Sequence, residues 1–171
     1  MKGAIIYSTR YGSTAQYAQW IAEKTGLPMF DLNDEGADPS NFDFIVYGAP
    51  IIYHKVYKHR WVKNHLDELL SKPIIFFTVS GARPGKKLDG WIQKCLPASF
   101  ISHAKHVALL GRQNPKELRF YDRLMLIIGG LKNPDRKAGK EELHGFDFMD
   151  SSSIDPIVKL VEQYQAQPVL Q

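Results

Sequence analysis

The stretch Ile5-Ile6-Tyr7-Ser8-Thr9-Arg10-Tyr11-Gly12-Ser13-Thr14 decides the fold. Its opening, from Ala4 to Tyr7, is apolar and rich in β-branched and aromatic residues, which predicts a buried strand. The run breaks into a loop of hydroxyls around Gly12. Apolar residues then return at helical spacing, at Tyr17, Trp20 and Ile21, with Ala15, Ala18 and Ala22 between them. A strand, a hydroxyl-rich loop and a helix N-terminus in that order make an anion site. The first amides of the helix lack intrahelical acceptors, and the helix dipole favours negative charge there. Ser8, Thr9, Ser13 and Thr14 add donors, and Gly12 can take the positive φ that a tight cradle needs. No lysine follows the glycine and the spacing is not the Walker one, so a nucleoside triphosphate with magnesium is not expected. A terminal phosphate held by neutral donors fits better. Ser13 or Thr14 could instead be a plain helix N-cap.

Working outward, further short apolar strands are expected at 27–32, 42–47, 74–79 and 107–110. The third stops at Gly48-Ala49-Pro50. Helices are expected at 57–70, 88–96 and 154–165, with another at 118–132 inside a long basic segment. Short apolar strands alternating with helices predict a doubly wound parallel α/β sheet. In such sheets ligands bind beyond the carboxyl ends of the strands, where the strand order reverses. The loops there are 8–14, 48–57 and 80–85.

The 171 residues suit one domain, 1–171, with a basic amphipathic insertion at 111–146. A single cysteine, Cys95, excludes an internal disulfide and suits a reducing cytoplasm. The chain enters a strand at once, so no signal peptide is expected, and no run is long enough to span a membrane. The net charge is +4, and the excess is clustered. Lys55, Lys58, Arg60 and Lys63 stand among three histidines between 51 and 66, with no acid. Between 111 and 140 there are eight basic residues against Glu117, Asp122 and Asp135. A basic face of this kind meets an anionic membrane, an acidic small molecule or nucleic acid.

The sequence S-T-R-Y-G-S-T between a strand and a helix resembles the FMN-phosphate loop of flavodoxin-like proteins. Two further pieces, G-A-P-I-I-Y at 48–53 and F-Y-D-R-L-M-L-I-I-G-G at 120–130, extend the likeness over nearly the whole chain. With them it resembles the flavodoxin-like, menaquinone-dependent protoporphyrinogen oxidase family. That resemblance implies a flavodoxin-like five-stranded sheet of order 2-1-3-4-5, with the insertion after the fifth strand. It also implies an FMN enzyme on the cytoplasmic face of the cell membrane, oxidising a porphyrinogen and passing electrons to a quinone. FMN would lie against Ser8, Thr9, Arg10, Tyr11, Gly12, Ser13 and Thr14 at its phosphate. Its ring would meet Ala49, Pro50, Ile51, Ile52 and Tyr53 on one side and Val79, Ser80, Gly81, Ala82 and Arg83 on the other. The third loop contains no aromatic residue, which would leave one ring face open to a planar substrate. No acid or base stands out as catalytic, no metal site is expected, and the flavin would carry the redox chemistry.

Residues 118–132 read as a helix with Arg119, Asp122 and Arg123 on its polar face and Phe120, Leu124, Ile127, Ile128 and Leu131 on its apolar one. The pattern suits a helix lying in a membrane interface, and equally one docked on the sheet or in a homodimer. Three functions compete: an FMN oxidoreductase acting on a tetrapyrrole or quinone, a flavodoxin-type electron carrier, and a flavin-free interaction module. A nucleic-acid partner is not among them. The lack of an acidic docking face counts against the carrier.

Overall fold

The computed structural model describes residues 1–132 and 144–168, with side chains omitted from 129 to 132. Five parallel strands form the sheet: β1 (Gly3–Tyr7), β2 (Met29–Asp31), β3 (Phe44–Ile52), β5 (Ile74–Ser80) and β6 (Lys105–Leu110), in the order β2-β1-β3-β5-β6. That is the expected doubly wound order. The chain leaves β1 to one side for β2 and returns on the other side for β3, which puts the switch point between β1 and β3.

Alternation along the central strands divides the core in two. Ala4, Ile6, Ile45, Tyr47, Ala49, Ile74 and Phe76 point to one face of the sheet. Ile5, Phe44, Val46, Ile75, Phe77 and Val79 point to the other. Both faces are covered, so β3 and β5 read as nearly unbroken apolar runs instead of alternating ones. Helix α1 (Ser13–Thr25) covers the second face with Tyr17, Ala18 and Ile21, and ends at Gly26 in a left-handed cap. The last helix, α7 (Asp155–Ala166), packs beside it through Ile157 and Val161.

Several boundaries differ from the sequence expectation. β3 does not stop at Gly48, because Gly48, Ala49 and Pro50 still pair with Phe77, Thr78 and Val79 of β5. Ile51 and Ile52 then pair with the two-residue strand β4 (Lys55–Val56). The helix expected at 57–70 is two short ones, α2 (Arg60–Asn64) and α3 (Leu66–Leu70), broken at His65 with φ −114°. Its ring Nδ1 lies 2.9 Å from the Trp61 carbonyl. Helix α4 (Lys86–Gln93) starts and ends slightly earlier than expected, and α5 (Ala98–His103) was not foreseen in the sequence.

After β6 the chain forms a small hairpin between β7 (Arg112–Gln113) and β8 (Phe146–Asp147). Helix α6 (Phe120–Lys132) lies between them in sequence. The part of the expected insertion between 133 and 143 lies outside the described residues, as does the side chain of Leu131. Among the described residues no helix is long and apolar enough to cross a membrane.

Candidate functional site

The 8–14 loop sits at the carboxyl end of β1, beside the switch point. The Ser8 amide donates to the Gly48 carbonyl at 2.9 Å, which ties the loop to β3. Inside the loop the Gly12 amide donates to Thr9 Oγ1 at 3.0 Å, so Thr9 supports the loop's own turn. Gly12 takes φ +86° at the N-cap position of α1, a conformation an L side chain would resist.

No side chain caps α1. Ser13 Oγ stands 3.4 Å from both the carbonyl and the amide of Arg112. Ser8 Oγ and Thr14 Oγ1 are buried and have no hydrogen-bond partner among the described residues. A buried hydroxyl without a partner is uncommon and costs about 1–3 kcal/mol. Two of them below an uncapped helix N-terminus are the donors that an anion would satisfy. These hydroxyls argue against the N-cap alternative. Tyr47 is also buried with an unpartnered hydroxyl. Burial pushes it well above its ordinary pKa, and the Ser8 hydroxyl pulls the other way, although the two oxygens do not reach hydrogen-bond geometry.

Arg112 was not singled out from the sequence. It lies on β7, where its guanidinium Nη2 would stand 3.9 Å from a Cβ placed on Gly12. A cation therefore stands at the cradle's mouth, brought there by the hairpin that follows β6. The signal in the sequence was only a basic residue just after Gly111.

Arg10 and Tyr11 face elsewhere. Both bind Asp122 of α6, which is only 6% exposed. Arg10 Nη2 donates to Oδ2 at 2.5 Å, and the Tyr11 hydroxyl donates to the same oxygen. The Tyr53 hydroxyl donates to Oδ1. This corrects the expectation that Asp122 shares a solvent-facing polar stripe with Arg119 and Arg123. Those two are exposed, while Asp122 points inward. Desolvation opposes the charged carboxylate, but bonds from Tyr11, Tyr53 and Arg10 outweigh it and hold Asp122 below the usual carboxylate range. Burial, reinforced by the Asp122 carboxylate, raises Tyr53 well above an ordinary tyrosine.

Tyr53 and His54 form the two-residue turn between β3 and β4, with φ +50° and +62°. Both central residues of such a turn need positive φ, a geometry usually supplied by Asn-Gly. A bulky residue held there costs about 1–3 kcal/mol, and such strain collects at functional sites. Tyr53 is 45% exposed, so it is not a core residue. Ile51 packs partly against the core, and Ala49 is fully buried within it. His54 stacks on Trp91 of α4 with ring centroids 4.5 Å apart.

At the third loop, Val79 is core and Ser80 is buried, its hydroxyl exchanging bonds with the Ala82 backbone. Gly81 lies under the Phe146 ring, and a Cβ there would come within 2.5 Å of it. Phe146 stacks on Phe148 at 4.8 Å. The loop is thus not bare, as its own residues suggested, since β8 supplies an aromatic from far along the chain. Among the described residues no cluster of His, Cys, Asp and Glu could hold a metal ion.

The flavodoxin domain matches residues 4–128. A protein of Escherichia coli strain K12 named protoporphyrinogen IX dehydrogenase (quinone) is 28% identical over 142 residues, spanning 75% of this chain and 78% of its own. Among solved structures, a flavodoxin described as WrbA-like from Agrobacterium tumefaciens superposes with a TM-score of 0.51 at 13% identity, over 95% of this chain and 98% of the other. That likeness is one of fold.

Proposed function

The chain belongs to the flavodoxin-domain family, and from that premise we propose that it is an FMN-dependent oxidoreductase that oxidises protoporphyrinogen IX and delivers the electrons to a quinone. The observation that carries the cofactor is the cradle: Ser8 Oγ and Thr14 Oγ1, buried and unpartnered, at an uncapped helix N-terminus with Arg112 beside it. FMN, when bound, would supply the hydride and electron chemistry, so no protein acid or base is required for redox turnover. Ser8, Thr14 and the first amides of α1 would hold its phosphate. The strand end and turn from Ala49 to Tyr53, with the Ser80–Arg83 stretch opposite, would hold its ring. Thr9 and Gly12 shape the loop itself.

The substrate class is supported by the Escherichia coli relative and by the charge around the site. Protoporphyrinogen IX presents two propionates, and the candidate ring-site segments carry Arg83 in the third loop and Lys55, which pairs with Ile52. Anaerobic titration with protoporphyrinogen, followed by turnover with menaquinone analogues, tests this reading. Reduction of the bound flavin and re-oxidation by quinone are expected. Flavin binding without either reaction would overturn the substrate while leaving the cofactor.

One observation favours the electron-carrier reading. Phe146 packs on the loop where a carrier would place an aromatic against its ring. Rapid exchange with a one-electron partner and no turnover with quinone would establish it.

We take the chain as one domain, 1–171, with 111–146 inserted, and propose that α6 brings it to the inner face of the cell membrane. Phe120, Leu124, Ile127 and Ile128 are exposed beside Arg119 and Arg123. Each basic residue near an anionic surface contributes about 1 kcal/mol, screened by salt, whereas the apolar contribution persists in salt. Arg119→Glu with Arg123→Glu should abolish the preference for anionic liposomes. Leu124→Ser with Ile128→Ser should lower binding at every salt concentration. A wild-type homodimer that binds no liposome would assign the face to a second copy instead.

A further inference from the structure

Three donors from two separate loops converge on one buried carboxylate. Arg10 and Tyr11 come from the loop after β1, and Tyr53 from the β3–β4 turn. These loops flank the switch point. The carboxylate comes from neither, but from a helix more than a hundred residues along the chain from Arg10. Arg10 donates from Nη2 to Asp122 and lies over the Tyr11 ring, while its Nε is buried without a partner among the described residues. Asp122 therefore holds one end of the guanidinium, while Nε stays a buried donor like the hydroxyls of Ser8 and Thr14. Tyr53 holds a positive φ that its side chain does not favour, and its hydroxyl is anchored at Asp122. Its ring also meets Tyr121 edge-on, at 6.4 Å between centroids.

We propose that Asp122 is a positioning residue of the flavin site, whose carboxylate holds the Tyr53 turn in place as a ring wall. The inference rests on the FMN reading above. It makes α6 part of the cofactor site without contact between Asp122 and the reacting atoms. It also carries a reciprocal consequence. If seating Asp122 favours the ring site, flavin binding must favour the seating of α6 by the same factor.

Riboflavin separates the ring wall from the cradle because it lacks the phosphate. In Asp122→Asn, which leaves the Tyr53 hydroxyl a neutral acceptor in place of a charged one, the riboflavin affinity should fall by up to about tenfold. Tyr53→Phe removes the tether outright and should cause at least as large a loss. The double variant should be no worse than Tyr53→Phe alone, since both act on one link. Amide exchange between 120 and 128 should slow when riboflavin binds the wild type, and should not respond in Asp122→Asn. Unchanged riboflavin affinity in both variants, or additive losses, would overturn the inference and leave Asp122 a fastening of the fold alone. A wild type that binds neither FMN nor riboflavin would overturn the flavin reading, and the inference with it. If Asp122→Asn fails to fold, Tyr53→Phe and the wild-type exchange experiment decide the matter.

Discussion

Within one seven-residue loop the structure treats polar groups in two opposite ways. Ser8 and Thr14, near its ends, carry buried hydroxyls with nothing to bond. Arg10 Nη2 and the Tyr11 hydroxyl, between them, are bonded to a carboxylate delivered by α6, with Arg10 Nε left over. The first pair belongs to a local construction of strand, turn and helix N-terminus. The second belongs to a junction assembled from three distant segments. An unsatisfied set of donors is destabilising until something fills it, whereas a satisfied set stabilises the fold as it stands. On the function proposed above, the cradle would bind the ligand and the junction would align the ring site.

The largest expected effect tests the cradle half. Replacing Ser8 with alanine and Thr14 with valine removes two hydroxyl donors to a charged acceptor, about 1.5–3 kcal/mol each. FMN affinity should fall by orders of magnitude in a fluorescence titration, while the melting temperature of the apoprotein stays level or rises. A marked fall in apoprotein stability would mean that these hydroxyls already have partners.

The junction should behave in the reverse sense. Asp122→Ala leaves the Arg10 guanidinium without its acceptor and should cost about 2 kcal/mol of stability by urea denaturation at neutral pH. Because the folded-state pKa of Asp122 is depressed, its contribution is present above the ordinary carboxylate range and is lost as pH falls through the folded value. The stability gap between wild type and Asp122→Asn should therefore narrow in strong acid. Both proteins will still show other acid losses, since Asp38 and Asp150 are depressed by their bonds to Ser40 and Ser152. A gap that is constant down to strong acid would remove the ionised carboxylate from the account.

A smaller effect is expected at the turn. Tyr53→Phe deletes one hydroxyl bond and should cost about 1 kcal/mol in the apoprotein. Substituting glycine at His54 should recover part of the turn's strain and raise the melting temperature, because glycine accepts positive φ. No change would indicate that the His54 stack on Trp91 offsets the strain.

The smallest concerns the hairpin. Gly81→Ala would push its new methyl toward the far edge of the Phe146 ring, which can move aside. A stability loss below about 1 kcal/mol is expected by the usual range for overpacking at a yielding site, together with an altered environment for Phe146. A large loss would show that the hairpin is held rigidly against the third loop.

The same contrast explains what could be read from the sequence. The strands and the 8–14 loop were legible because each is written in contiguous residues, while the strand order came with the family resemblance. Apolar runs bounded by turn residues gave the strands, and S-T-R-Y-G-S-T gave the loop. β3 was cut short at Gly48 because Gly-Ala-Pro reads as a breaker, and only pairing with β5 carries it on. Asp122 was placed on a solvent face because it stands between basic residues in the sequence. Its burial depends on Arg10, Tyr11 and Tyr53, which no local pattern links to it. Phe146 on Gly81 and Arg112 beside Gly12 were hidden for the same reason, since both are tertiary meetings across long loops.

The central claim is that the cradle recognises the phosphate of FMN. It is tested most directly by titrating the wild-type apoprotein with FMN and with riboflavin under identical conditions. FMN should bind tighter by orders of magnitude, since only it can satisfy Ser8, Thr14 and the α1 amides. Equal affinities for the two flavins would contradict the claim.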